Sequence, residues 1–398
     1  MAKSKRKIGL LPLILLAIAL GIGCSFFFPE WAVRLFLTFN GIFSNFLGLF
    51  IPILIIGLIA PGIAELGKGA GKLLVITTAL AYFSTVLAGM FSYTVCGWAY
   101  PRFLGNSISA LGNLDGSTSE LAPFFTIDMP PFMSVMTALI MAFMLGLAMI
   151  YIKGHALKDV MMDVRDIVFF VINKVIVPLL PLFIFGIFLQ MGSEGKVAPV
   201  LGMFVKIIVI IFIMHVTFLL LQFCIAGAIA KKNPIKALIT MLPAYVTALG
   251  TQSSAATIPV TLEQTKKNGV RSEIADFTIP LCATIHLSCS ILKIVACALA
   301  ISMSMGKDVS FGTYFGFILM LGITMVAAPG VPGGAIMASL GLLASMLGFD
   351  SAMQGLMIAL YIAMDSFGTA GNVTGDGAIS MIVNTIKLKK HKGSKDEN

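Results

Sequence analysis

Long apolar runs separated by short polar connections set the pattern of this chain. Runs of about 20 residues or more, enough to cross the ~30 Å hydrocarbon core of a bilayer, occupy 8–28, 34–60, 71–97, 134–152, 166–191 and 199–230. Another follows at 275–304, and a last one at 352–386. Two further apolar stretches are interrupted. At 237–262 the break carries Thr247, Gly250, Thr251, Gln252, Ser253, Ser254 and Thr257, then Pro259. At 311–349 it is Ala328-Pro329-Gly330-Val331-Pro332-Gly333-Gly334. Irregular backbone exposed to lipid leaves unpaired N–H and C=O groups, each costing several kcal/mol. Such breaks must lie within protein or line a wet cavity. Two of them predict a pair of re-entrant helical hairpins around a transport site; two kinked ordinary spans are the alternative.

Composition agrees with a membrane solvent. Of 398 residues, 58% are hydrophobic and 11% charged, where a soluble domain has about 25% charged residues. Mean hydropathy is +0.99. The net charge of +9 is a topology signal rather than a nucleic-acid one, because most basic residues fall in the short connections. With the N-terminus cytoplasmic and both hairpins returning to their own side, the inside collects Lys3 to Lys7, Lys68, Lys72, Lys153, Lys158, Arg165, Lys231, Lys232, Lys236 and the basic tail. Counting the first hairpin as a full crossing would put Lys266, Lys267 and Arg271 outside, against the positive-inside rule. The basic Met1–Lys7 precedes a run longer than a signal-peptide core, so an uncleaved first span is expected. Cys24, Cys96, Cys224, Cys282, Cys289 and Cys297 sit in or beside apolar stretches without metal-type spacing, and read as packing residues.

Ionisable residues at membrane depth are rare and usually functional. The last span carries Asp365, Thr369, Asn372 and Asp376, at spacings of four, seven and eleven from the first. These form one polar stripe on a helix, which must face the protein interior. Two carboxylates there need cationic partners, and a sodium ion and a substrate ammonium would serve. A structural hydrogen-bond ladder is the alternative. The span at 275–304 adds His286, Ser288, Ser290 and Lys293; His215 lies at 199–230; Tyr82, Ser84 and Thr85 form a smaller group. His215 reads as a packing residue. No nucleotide-binding loop, HExxH or CxxC occurs, so an ion gradient is the expected energy source and no enzymatic chemistry is expected.

Four segments carry a resemblance. The run Gly250-Thr251-Gln252-Ser253-Ser254-Ala255-Ala256-Thr257-Ile258-Pro259 resembles the serine-rich first-hairpin tip of glutamate-transporter-type symporters. Pro280-Leu281-Cys282-Ala283-Thr284-Ile285 is similar to the approach to their unwound seventh helix, Gly330-Val331-Pro332-Gly333 to their second-hairpin tip, and Asn372-Val373-Thr374-Gly375-Asp376 to the end of their eighth helix. The motifs occur in family order over about 240–385. On this basis the chain resembles the dicarboxylate/amino acid:cation symporter family, closest in site pattern to its neutral amino acid (serine/threonine) members.

That resemblance implies an all-α polytopic fold of eight transmembrane helices plus two re-entrant hairpins, a homotrimer working as an elevator in the bacterial inner membrane, both termini cytoplasmic. The implied division is scaffold at 1–70 and 134–191, an external loop at 98–133, transport-domain segments at 71–97 and 199–386, and a basic cytoplasmic tail at 387–398. Substrate would be held by Ser253, Ser254, Val331, Pro332, Gly333, Asp365, Gly368, Thr369 and Asn372, with Asp365 on an α-ammonium group. Sodium ions would be held by Cys282, Thr284, His286, Asn372 and Asp376, in part through backbone carbonyls, at one or two sites.

Departures from the family pattern shape the expected function. Acidic-substrate members place an arginine where this chain has Gly368, and an aspartate where it has Tyr361. The span-7 aspartate motif is replaced by His286-Leu287-Ser288-Cys289-Ser290, which argues against a third sodium site. Space at Gly368 would admit a small neutral side chain; Lys293, two turns from His286, is either a lysine that snorkels or pairs structurally or a fixed cation for the site lacking its aspartate. The expected activity is sodium-driven uptake of a small neutral α-amino acid such as serine, threonine or alanine. The alternatives are a dicarboxylate or acidic amino acid symporter coupled to sodium or protons, and a channel or transport-dead receptor. Expected partners are the amino acid, sodium ions and membrane lipids, not nucleic acid.

Overall fold

The computed structural model describes residues 10–66, 72–105, 121–195, 197–326, 328 and 332–393, and among them every regular element is helical. In chain order these are α1 (Leu10–Ser25), α2 (Glu30–Leu66), α3 (Lys72–Phe103), α4 (Val135–Tyr151), α5 (Ala156–Val171), α6 (Val177–Ser193), α7 (Val197–Ala230), α8 (Pro234–Thr240), α9 (Leu242–Thr251) and α10 (Ser254–Lys267). They continue as α11 (Ser272–Ile285), α12 (Ser288–Ser304), α13 (Phe311–Val326), α14 (Gly334–Leu347), α15 (Ser351–Ala363) and α16 (Asp365–Gly393). Among the described residues, five unbent spans are long and apolar enough to cross a bilayer: Glu30–Ala64, Lys72–Phe103, Ala156–Ser193, Val200–Ala230 and Ser272–Ser304. The fifth apolar run, 166–191, belongs to a longer span. It joins α5 to α6 through one π turn at Ile172–Ile176, where Pro178 and Pro181 lack the N–H groups that an α-helical ladder would use.

α1 packs along α6, α2 along α4, α5 and α6, and α12 along α3. α16 is surrounded by α7, α9, α10, α11 and α12. Close helix approach depends on small residues, as membrane packing requires. A Cβ at Gly146 would meet Ile63 and the Ala60 carbonyl, and one at Gly57 would meet Val164 and Val168. Outward-facing Leu16, Phe83, Ile140, Ile213 and Val246 are exposed, as side chains that contact lipid would be. The extended segment before α4 is strapped to α2: Arg34 Nε donates to the Ala122 carbonyl at 2.8 Å and Asn45 Nδ2 to that of Ile127 at 2.7 Å.

The first interrupted stretch folds back on itself. α9 ends in Gln252, held in the left-handed region at φ 53°, and Ser253 caps α10 by accepting from Ala256 N–H. At the far end Asn268 Nδ2 donates to the Ala237 carbonyl at 3.0 Å, and the Asn268 carbonyl accepts from Lys232. Entry and exit therefore meet. The hairpin begins at Pro234 and runs to Lys267, five residues past the expected 262, because its second arm is polar beyond Leu262. In the second interrupted stretch α13 and α14 pack on each other, and α14 starts after Gly333, whose φ of 73° suits only glycine well.

The last span departs from expectation. It is not one helix over 352–386 but two, α15 and α16, bent by 62° at Met364. The span at 275–304 is broken too, between α11 and α12 at His286–Leu287. Both breaks leave helix ends inside the protein, and buried polar side chains, Asp365, His286 and Asn372, gather there.

Candidate functional site

Each helix end at these breaks needs partners for its unbonded backbone groups. At α12 they come from Asn372, whose Oδ1 accepts from Cys289 N at 2.8 Å and Ser290 N at 3.3 Å. Asn372 Nδ2 donates to Ser290 Oγ at 2.9 Å, and Ser290 Oγ also accepts from Tyr361 at 3.1 Å. At the head of α14, Gly333 N–H donates to Asp365 Oδ2 at 2.7 Å. Asp365 is itself the first residue of α16, so its carboxylate sits where two helix N-termini favour negative charge.

The two carboxylates of the polar stripe have basic partners within the chain. Lys293 Nζ lies 3.8 Å from Asp365 Oδ1 and donates to the Met364 carbonyl at 3.1 Å. That carbonyl lies at the C-terminal end of α15, the negative end of its dipole. The ammonium also stands over the Tyr361 ring, 4.0 Å from its centre. At the other end of the stripe, His286 Nδ1 faces Asp376 Oδ1 at 2.8 Å and Nε2 faces Ser84 Oγ at 3.0 Å. Gln222 Nε2 donates to Ser84 Oγ at 3.0 Å and Ser288 Oγ at 3.2 Å. Gln222 Oε1, buried, meets no hydrogen-bond partner among the described residues. Leu80, Phe83, Ser84, Gln222 and Ile379 line a cavity between α3, α7 and α16 that is apolar except at this end.

These contacts depend on three glycines of α16 at one-turn and two-turn spacing. A Cβ at Gly368 would collide with the Lys293 ammonium, one at Gly371 with His215 and Cys289, and one at Gly375 with Gln222 and His286. The expected space at Gly368 is therefore not free, because Lys293 fills it. Lys293 pairs with Asp365, and His286 with Asp376. The break at His286–Leu287 takes His286 out of the helix that carries Lys293 and ends their shared face.

The remaining expected residues scatter around this centre. Ser254 opens α10 and is buried; Thr369 is buried and donates to the Asp365 carbonyl at 3.2 Å. Pro332 immediately precedes Gly333, and Val331 lies outside the described residues. Cys282 is fully buried, and its carbonyl accepts from His286 N at 2.9 Å. Thr284 is exposed and its hydroxyl donates to the Leu281 carbonyl at 2.7 Å. Among the described residues no three His, Cys, Asp or Glu side chains cluster as a metal site would require. Gln222 was not singled out in the sequence, although a lone amide within the apolar run 199–230 is the signal that marks it. His215 packs at Gly371 and bonds to Tyr245 of α9 at 3.3 Å.

Broken helices that carry charged side chains into the protein interior are a feature of transporter binding sites. The model of the sodium:dicarboxylate symporter family matches residues 10–386. The chain belongs to the sodium:dicarboxylate symporter family. It is thus a polytopic membrane transporter, as the four motif segments imply. Within the family it is 29% identical over 386 residues to the serine/threonine transporter SstT of Acinetobacter baumannii (strain AYE), covering 93% of this chain and 95% of that protein. It is also 28% identical over 237 residues to excitatory amino acid transporter 1 of Ambystoma tigrinum, covering 58% of this chain and 43% of that protein.

Proposed function

We propose that the protein is a secondary active symporter that takes up a small neutral α-amino acid, serine-, threonine- or alanine-like, on a sodium gradient. The observation that carries this reading is the buried pair of opposite charges, Asp365 and Lys293, where α12, α15, α16 and the head of α14 meet. A zwitterion presents the same two charges. The resemblance in length and sequence to serine/threonine transporters supports the same substrate class. In this reading the chain makes eight spans and two hairpins, and forms a homotrimer in the bacterial inner membrane with both termini inside. Segments 1–70 and 134–191 are its scaffold, and 71–97 with 199–386 its elevator-like transport domain. Ser253, Ser254, Val331, Pro332, Gly333, Asp365, Gly368, Thr369 and Asn372 surround the substrate, and Asp376 with Asn372 and the carbonyls around Cys282, Thr284 and His286 receives sodium. Purified protein in liposomes tests the reading. An imposed inward sodium gradient should drive accumulation of labelled serine, threonine or alanine, and its collapse should abolish it. Uptake of none of them would refute the proposal.

One observation favours a second reading. The Lys293 ammonium occupies the place of a side chain at Gly368, so a cation is available for a second carboxylate. A dicarboxylate or acidic amino acid would then be the substrate. Competition of uptake by succinate or aspartate, with none by serine, would establish it.

A further inference from the structure

A fully buried lysine needs an explanation. Burying an ammonium without full pairing is costly, and most such residues serve a function. Lys293 is 1% exposed. Among the described residues its three N–H donors meet one hydrogen-bond acceptor, the Met364 carbonyl, beside the face of the Tyr361 ring and a carboxylate oxygen at 3.8 Å, beyond hydrogen-bond length. The second Asp365 oxygen is already held by Gly333 N–H. The ammonium is thus under-coordinated, in a place kept open for it by a glycine of the facing helix. It also lies at the junction of α15 and α16, beside the head of the second hairpin.

We propose that Lys293 is the carboxylate-binding residue of the transport site, and that the Lys293–Asp365 pair is a placeholder that a zwitterion divides. In the ligand-free protein each charge partly satisfies the other. On binding, the substrate ammonium goes to Asp365 and its α-carboxylate to Lys293. One long internal pair becomes two ligand pairs, and the net charge of the buried site stays zero. No bond is made or broken. An amine without a carboxylate leaves Lys293 buried and unpaired, and a carboxylate without an ammonium does the same to Asp365. The pair thereby selects molecules carrying both charges, which rejects simple amines and dicarboxylates alike. Asn372 Nδ2, the group through which that amide could donate to a carboxylate, already gives a hydrogen bond to Ser290 Oγ.

This inference rests on the amino acid reading above, and the experiment separates the two. Binding of serine, serinamide and succinate to purified full-length protein is measured in sodium by calorimetry and thermal shift. Wild type should bind serine at least about 30-fold more tightly than serinamide, the factor expected for one lost charge pair. Lys293→Met should lower serine affinity and shrink the serine-to-serinamide ratio to about threefold or less, whereas Lys293→Arg should keep a large ratio. A purely structural lysine would change the melting temperature and leave the ratio intact. A folded Lys293→Met with the wild-type ratio overturns the proposal. So does wild type that binds serinamide as well as serine, which needs no variant to fold. Wild type that binds succinate and no amino acid refutes the amino acid reading itself. Wild type that binds serine while Lys293→Met keeps its ratio refutes only the role of Lys293.

Discussion

His286 Nδ1 and Asp376 Oδ1 stand 2.8 Å apart, both side chains fully buried, with Ser84 closing the other side of the imidazole. One oxygen of the carboxylate proposed to receive sodium is thus already occupied by a ring of the same chain. Asp376→Asn should weaken the sodium dependence of uptake before it affects substrate selectivity. His286→Asn frees Asp376 Oδ1 and should shift the sodium titration of uptake to lower concentration. Identical sodium titrations for wild type and both variants would separate this pair from ion coupling.

Asp365 holds both Lys293 and the head of the second hairpin. Asp365→Asn leaves a buried lysine unpaired, a change that typically destabilises by about 3–5 kcal/mol. Uptake should fall by orders of magnitude. Adding Lys293→Met removes both charges and should recover much of the melting temperature without recovering uptake. Near-normal uptake by a folded Asp365→Asn protein would remove Asp365 from the site.

Gly368 is required for steric reasons. A methyl group there meets the Lys293 ammonium, and overpacking of this kind costs about 1–3 kcal/mol. Gly368→Ala should lower the melting temperature, and Gly368→Ala with Lys293→Ala should lower it less than the two single effects combined. Strict additivity in thermal unfolding would show that the two positions do not meet.

The first hairpin is fastened at its open end by Asn268, through its side chain to Ala237 and its carbonyl to Lys232. Asn268→Ala leaves the Ala237 carbonyl without that donor, a loss of about 1–3 kcal/mol for a buried group. Hydrogen exchange should rise at α8 and the end of α10 before it rises in α12. Unchanged protection would assign the closure to packing alone.

The amino-acid sequence by itself determined the solvent, the helical class, the two interrupted stretches and the interior placement of Asp365, Thr369, Asn372 and Asp376. The reason is that these follow from local rules. A run of about 20 apolar residues can satisfy its backbone in lipid only as a helix, and the helical repeat places residues four, seven and eleven apart on one face. The same rules could not locate the break at Met364, because Tyr361 to Gly368 contains no proline and its composition suits a continuous helix. Nor could they pair the charges. Lys293 and Asp365 are 72 positions apart and His286 and Asp376 are 90 apart. Only the packing of α12 and of the α11–α12 break against the glycine face of α16 brings them together. A sequence shows that Gly368 has no side chain; whether that leaves space or admits a neighbour depends on what the tertiary structure places opposite, and here that neighbour is Lys293.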